Sequence, residues 1–404
     1  MTANRRKRVA HFVRKFLPHF TSFVRNQIMN HVRYEPMVVY KEYIDSLFAR
    51  EITNSISFLP LDNNKGGFEK LYSDLLYSRP FRMLSHRDKR NVREFLLDKD
   101  IDILHFHYGT DAGFFVSALD SVSIPSLVSF YGYDCSSFPR WYFGLGTRYL
   151  RKVFSNVDYC LAMSEDMKCD LLKIGCPLEK IITHYYGTDV QRFFQERIYQ
   201  DKNEIIFLSI GYLVPQKGHA FTLRAFKEFL RLTNKKVQLR IVGAGYLESH
   251  LKKFVLDNGL SENVQFVGAL KHLSPVFLGE YRKADIFVHP SVTSRTNEKE
   301  GIPGAIVEAM AAGLPVISTY HAGIPNVIRD GETGLLVNEW DVDSLVRSMC
   351  ILAENVKVRE KIGLRAQRYA LNNLDLKHKQ IELESIYDRI LDEASNKIRC
   401  RKRE

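Results

Sequence analysis

The chain has 404 residues, 45% of them hydrophobic and 26% charged, which suits a soluble globular protein of two or three domains and excludes a disordered or fibrous one. Its net charge of +11 favours anionic partners such as nucleotides, lipid surfaces or nucleic acid, although part of it sits in short terminal runs that also serve as solubilising tails. The six cysteines include no C-x-x-C pair, which argues against a zinc site or a disulfide framework, and no apolar run approaches the ~18 residues of a membrane-spanning helix.

Short apolar runs alternate with amphipathic stretches along the chain. In the first half, strands are predicted at "VAHFV" (Val9), "MVVY" (Met37), "DILHFHY" (Asp102), "SLVSFYG" (Ser126), "YCLAMS" (Tyr159) and "KIITHYYG" (Lys180). In the second half they are "EIIFLSIG" (Glu204), "VQLRIVGAG" (Val237), "NVQFVG" (Asn263), "ADIFVHPS" (Ala284), "LPVISTY" (Leu314) and "TGLLV" (Thr333). Runs that are apolar on both faces imply parallel sheets covered by helices. Two such series imply two Rossmann-like, doubly wound α/β domains, expected at residues 1–195 and 196–374. Residues 375–404 read as a closing helix that returns to the first domain, followed by a basic tail. Ligands of open α/β sheets bind beyond the carboxyl ends of the strands, so the cleft between the two domains is the expected site.

The stretch "EGIPGAIVEAMAAGLPV" begins at Glu300. Pro303 suits a first helical turn, and Gly313 suits the end of that helix. Glu300 then precedes a helix start and Glu308 lies on its second turn. Free N–H groups between two carboxylates offer a place for a phosphate flanked by hydroxyl-rich rings, the layout of a nucleotide diphosphate sugar. Alone, such an acidic pair is a weak signal, and a surface helix with two unrelated acids explains it as well.

The longer stretch from Glu300 to Val337 closely resembles the E-x7-E region of glycosyltransferase family 4, retaining enzymes of the GT-B fold that use nucleotide sugars. The resemblance implies that Glu300 contacts the donor sugar and Glu308 the nucleotide ribose. "IGYLVPQKGHAFTLRAF" is similar to the family's "GRLVxEKG" segment and gives Lys217 the donor diphosphate. Tyr212 replaces a common arginine there, and Arg295 or Lys299 stands in as a substitute charge. "HFHYG" and "SFYGYD" resemble the family's "HxHF" and "FHGxD". Tyr131 departs from the usual histidine and is expected to offer one hydrogen bond but no charge. His107 reads equally as an acceptor contact or a satisfied core histidine. The start, "RVAHFVRKFLPHFTSFVRNQIMNH", resembles family members that build bacterial surface polysaccharides, including colanic-acid-type enzymes.

The resemblance therefore implies a metal-independent retaining glycosyltransferase, with Glu300, Lys217, His107 and Tyr131 as catalytic candidates. Its donor site is expected to comprise Gly211, Tyr212, Lys217, Arg295, Glu300, Ile302, Gly304, Ala305 and Glu308. No cofactor or metal is expected, because the D-x-D strings between Asp98 and Asp102 and at Asp341 read as a strand approach and a helix cap. Expected partners are a nucleotide sugar and a glycan acceptor carried on a lipid, with peripheral contact to an anionic membrane at its cytoplasmic face and no nucleic acid. Two other readings are a GT-B-type sugar-nucleotide epimerase or hydrolase, and a basic non-catalytic scaffold that binds membranes or nucleic acid.

Overall fold

The computed structural model describes residues 5–16, 22–43, 57–61, 84–120 and 122–401. The chain forms two compact units, Met1–Tyr186 with Lys377–Glu404, and Gly187–Leu376. The division falls at Tyr186/Gly187, whereas the sequence placed it after residue 195. Residues 188–195 attach to the second unit: Thr188 pairs with Asp375, the Gln195 amide donates to the Ala312 carbonyl at 3.1 Å, and the Phe193 ring packs on Tyr281. Gly187, at φ +77°, makes the turn that starts this segment.

The first unit holds a seven-stranded sheet. Its strands are β1 (Lys7–Phe16), β2 (Tyr34–Tyr43), β3 (Ser57–Pro60), β4 (Ile103–His107), β5 (Ser126–Ser129), β6 (Tyr159–Ala162) and β7 (Ile181–Thr183), in the order β3-β2-β1-β4-β5-β6-β7. Every ladder is parallel. Six of these strands were legible as apolar runs. The seventh, β3, is a four-residue edge strand ending in proline, too short to show a pattern and in the place where proline costs no ladder bond. Residues 17–21 of the polysaccharide-type start, and the tips of both basic tails, lie outside the described residues.

The helix Leu376–Arg401 covers one face of this sheet. Leu383, Tyr387 and Ile390 recur at helical spacing and bury against Val9, Ile103, Leu127 and Leu161. Each such side chain contributes roughly 1.5–3 kcal/mol by leaving water. Toward the strand ends the same face turns polar. His11 lies opposite His105 in the β1–β4 register, and His107 lies opposite Ser129 in the β4–β5 register.

The second unit holds six parallel strands: β8 (Glu204–Ile210), β9 (Lys236–Val242), β10 (Val264–Gly268), β11 (Ile286–Val288), β12 (Val316–Thr319) and β13 (Leu335–Val337). The order is β10-β9-β8-β11-β12-β13, and all six match apolar runs in the sequence. Phe226 and Phe229 each meet Phe207 edge to face inside its core beside Leu239 and Ile241. Strand order reverses between β8 and β11, as it does between β1 and β4. In a doubly wound sheet, these reversal points open a crevice at the strands' carboxyl ends. The candidate residues fall there.

Candidate functional site

In the second unit, β8 runs into Gly211 and then a tight turn, Pro215–Lys217. Gly218 follows at φ +69°, and a Cβ there would stand 1.9 Å from the Pro290 carbonyl oxygen. Only glycine fits, and the close approach ties the lysine-bearing turn to the loop that follows β11. The Lys217 ammonium lies 2.8 Å from both carboxylate oxygens of Glu300. Glu300 comes from that same loop and is nearly buried, its side chain 8% exposed.

Glu300 is also held through its backbone. Its N–H donates to His321 Nε2 at 3.2 Å, and His321 Nδ1 is 2.6 Å from Glu339 Oε1. Because Nε2 accepts from an N–H, the ring's proton sits on Nδ1 and is donated to Glu339. Glu339 accepts in addition from the Thr293 N–H at 2.7 Å. Burial alone would raise its pKa, but the bonds from His321 and Thr293 outweigh burial and lower it. A carboxylate–imidazole pair thus braces the loop that carries Glu300.

The helix Gly304–Ala311 begins after Pro303, and no side chain caps its first turn. Gly313, at φ +73°, ends it. Glu308 lies on this helix with one oxygen 2.9 Å from His272 Nε2 and the other accepting from the Tyr281 hydroxyl at 2.6 Å. A Cβ on Gly304 would stand 4.0 Å from Glu308 Oε1, so the carboxylate lies over the helix start. Ile302 is buried, whereas Gly304 and Ala305 are half-buried at the entry. Tyr212 is 52% exposed beside Gly211, and Arg295 is exposed on the loop before Glu300. The lysine, both acids, Gly211 and the helix start therefore belong to one region.

In the first unit, Tyr131 follows β5 in a loop pinned by Asp134. One Asp134 oxygen accepts from the Tyr131 and Gly132 N–H groups at 3.0 and 3.1 Å, and the other from Gly109 at 2.9 Å. Burial raises the Asp134 pKa to about 6 despite these bonds. The Tyr131 ring packs on Phe23 and Tyr108. Its hydroxyl lies 2.7 Å from His107 Nδ1 and 3.1 Å from Gln27 Oε1. His107 is wholly enclosed, and His11 Nδ1 lies 2.9 Å from its other nitrogen. Any part His107 has in chemistry therefore runs through Tyr131.

The sequence reading missed the residues behind these candidates. His11 Nε2 lies 2.9 Å from His31 Nε2, and His31 Nδ1 lies 3.0 Å from Glu384 Oε1. His105 bonds the Tyr387 hydroxyl at 2.6 Å and Ser129 Oγ at 2.7 Å. Burial, followed by the charges of neighbouring histidines, holds His11 and His105 well below the usual imidazole pKa, and His107 falls to about 3. The alternation "HFH" on β4, matched by His11 on β1, was the available signal: period two puts all three on one face. His321 and His272 carried no signal beyond standing near strand ends.

His11, His105 and His107 offer nitrogens within 4.8 Å of one another, a spacing a metal can use. Each ring nitrogen already has a polar partner, however, and the rings lie on one another instead of converging on a point. Of the D-x-D acids, Asp102 is paired with Arg5 at 2.8 Å and Asp341 caps the helix Val342–Glu354. No helix among the described residues is long and apolar enough to cross a membrane.

Comparison with known proteins places the chain. Residues 42–192 match the Glycosyltransferase Family 4 model and residues 190–369 the model for glycosyl transferases group 1. The chain is 30% identical over 253 residues to WcaL of Salmonella typhimurium, a glycosyltransferase named for colanic acid biosynthesis, covering 60% of this chain and 61% of that protein. It is 30% identical over 263 residues to the amylovoran biosynthesis glycosyltransferase AmsK of Erwinia amylovora, covering 63% and 61%. The match spans about three-fifths of the length of these curated relatives. The crystal structure of Anabaena HepE in complex with UDP shares the fold at a TM-score of 0.76 and 16% identity, covering 95% of this chain and all of that one. With two successive family models running from residue 42 to 369 over two doubly wound units, the chain belongs to the group 1 and family 4 glycosyltransferases of GT-B fold.

Proposed function

We propose that this chain is a retaining glycosyltransferase that moves a sugar from a nucleotide-sugar donor to a hydroxyl of a glycan acceptor, in the assembly of a bacterial surface polysaccharide. The observation that carries this reading is the Lys217–Glu300 pair beside an uncapped helix start, with Glu308 oriented over that start by His272 and Tyr281. Lys217 and the helix N–H groups bind the diphosphate and stabilise the charge it gains as the sugar–phosphate bond breaks. Glu300, released from Lys217, orients the sugar through its hydroxyls, and Glu308 accepts from the ribose. Gly211 gives the diphosphate room at the end of β8. Arg295 supplies the second positive charge that Tyr212 does not. Lys217, Arg295 and the helix start provide positive potential without a metal. Tyr131 faces the acceptor. Neither the epimerase or hydrolase reading nor the scaffold reading has an observation of its own.

The test is a thermal-shift and turnover panel of UDP-, GDP- and ADP-sugars. HepE was solved with UDP and with UDP-glucose, so UDP-sugars come first. The expected result is stabilisation by one nucleotide class, with loss of turnover but not of folding in Glu300→Ala. Full turnover by that variant would sink the assignment.

A surface of the first unit supports an acceptor carried on a lipid. Trp141, Phe143 and Leu145 are exposed at the start of the helix Trp141–Asn156, with Phe143 held at φ +57° and fully in solvent. Beyond this kink, Leu145, Arg148 and Lys152 recur at helical spacing on one face and are exposed. Aromatic tips next to basic side chains suit the interface of an anionic bilayer. Co-sedimentation with phosphatidylglycerol vesicles but not phosphatidylcholine vesicles, lost in Phe143→Asp, is the expected outcome. Equal binding by that variant removes this contact.

A further inference from the structure

The buried histidines of the first unit have a direction. Each hydrogen bond in the row Tyr131–His107–His11–His31–Glu384 holds one proton, so the identity of one terminal donor or acceptor fixes all the others. Glu384 is that terminus. It is fully buried and accepts from the Val32 N–H at 2.7 Å, from the Arg33 N–H at 3.0 Å and from the Arg33 guanidinium at 3.3 Å. A carboxylate surrounded by donors accepts, so His31 gives it the Nδ1 proton. His31 Nε2 is then an acceptor and must receive the His11 Nε2 proton. His11 Nδ1 in turn receives the Nε2 proton of His107. His107 Nδ1 is left without a proton of its own, and the group that faces it is the Tyr131 hydroxyl.

Two amides stand against this polarity as placed, with the Gln380 nitrogen facing His31 Nδ1 and the Gln27 oxygen accepting from the Tyr131 hydroxyl, and both agree with it once turned over. Gln380 has an unpartnered buried oxygen, while its nitrogen lies 3.0 Å from His31 Nδ1. Turning that amide over, an exchange of two nearly indistinguishable groups, gives the oxygen the Nδ1 proton to share. The same exchange at Gln27 makes it a donor to the Tyr131 oxygen. Within the row, His11, His107 and Glu384 are fully enclosed, the His31 side chain is 1% exposed, and Tyr131 is half-buried.

We propose that Glu384, His31, His11 and His107 are positioning residues that commit the Tyr131 proton inward, so that Tyr131 meets the acceptor hydroxyl as a hydrogen-bond acceptor. This rests on the reading that Tyr131 faces the acceptor. In the transfer step the acceptor oxygen bonds to the anomeric carbon, and the bond from that carbon to the diphosphate breaks with its electron pair going to the phosphate oxygen. The phosphate oxygen that leaves also takes the acceptor's proton. Tyr131 accepts a hydrogen bond from the acceptor hydroxyl while its own proton stays directed at His107 Nδ1, and the imidazoles and Glu384 keep their protonation states.

Nitrogen-15 histidine spectra of the full chain at neutral pH test the polarity without any substrate. The expected protons are on Nε2 of His107, Nε2 of His11 and Nδ1 of His31. In Glu384→Gln, whose amide can donate, His11 and His107 are expected to shift toward the Nδ1 form. If that variant does not fold, His31→Gln replaces it, with loss of a single tautomer at His107 expected. A wild-type His11 protonated on Nδ1, unchanged tautomers in the variant used, or one equivalent of zinc bound by wild type and lost in His11→Gln each overturn the proposal. Turnover of the nucleotide sugar that the wild type uses supplies the second arm: His11→Gln is expected to lose about 100-fold in kcat with the donor KM unchanged. Undiminished kcat overturns the positioning role and leaves the transferase standing. A wild type that turns over no nucleotide sugar defeats the transferase reading, and the tautomers still decide the polarity of the row.

Discussion

The two candidate regions hold their key side chains in opposite ways. In the second unit, carboxylates face basic groups: Lys217 meets Glu300, and Glu308 meets His272, at groups still partly open to solvent. In the first unit, Tyr131 ends a row of neutral rings that burial keeps from protonating. A paired charge is released cheaply when an anion arrives, because the ligand replaces the partner it displaces. A neutral buried row has little tolerance for a missing member, since each ring's proton depends on the next. The first arrangement suits binding a charged donor, and the second suits fixing the state of one hydroxyl.

The largest test of this contrast is Glu300→Ala. On the proposed reading, removing the acid leaves Lys217 free for phosphate but takes away the group that orients the sugar, so turnover should fall about 1000-fold with the melting temperature nearly kept. Retained turnover would mean that the charged pair is structural.

Asp134→Ala comes next. It frees three backbone N–H groups around Tyr131 and should cost about 3 kcal/mol in denaturant unfolding. The same acid gives a pH signature. A folded-state pKa of about 6 means that the native chain binds a proton between pH 6 and about 4 that the unfolded chain does not. Its contribution to stability therefore rises as pH falls through that window, and Asp134→Asn should remove the rise. An unchanged pH profile would place the proton elsewhere.

His321→Ala is expected to lower kcat about 100-fold while nucleotide binding, read by thermal shift, changes little. It leaves the Glu300 carboxylate in place but unbraces its backbone. An equal loss of nucleotide affinity would mean that His321 serves the whole loop. The smallest effect is at His272. Burial lowers its pKa, but the Glu308 carboxylate more than compensates and the net shift is upward. Its charged form therefore stabilises the folded chain below the ordinary imidazole pKa, and this is lost as pH rises through the raised value. A melting temperature that declines across that range in wild type, with a shallower decline in Glu308→Gln, is the expected outcome.

The candidate region of the second unit was largely legible in the sequence because its parts sit close together in the chain and each has a local reason. Glycine before a helix, proline at its start and acids at fixed offsets can be read from short windows. Glu300, Gly304 and Glu308 thus fell on one loop-and-helix stretch, and Lys217 next to Gly218 marked the turn that reaches them. The bracing groups were not legible. Thr293, His321 and Glu339 lie on separate loops, and Tyr281 and His272 belong to another helix and the loop before it. The edge strand Ser57–Pro60 was too short to carry a period.

By itself, the sequence determined two series of parallel strands, the loop and helix that carry the acids, the turn that carries the lysine and the closing helix. These follow from local periodicity and backbone constraint, which act over a few residues. Only the tertiary structure decided that His11, His31, His107 and Glu384 form one row ending at Tyr131, and that residues 188–195 belong with the second unit. Those outcomes depend on which strands lie side by side and which face the last helix covers, and no window of sequence contains residues that are 353 positions apart, as His31 and Glu384 are.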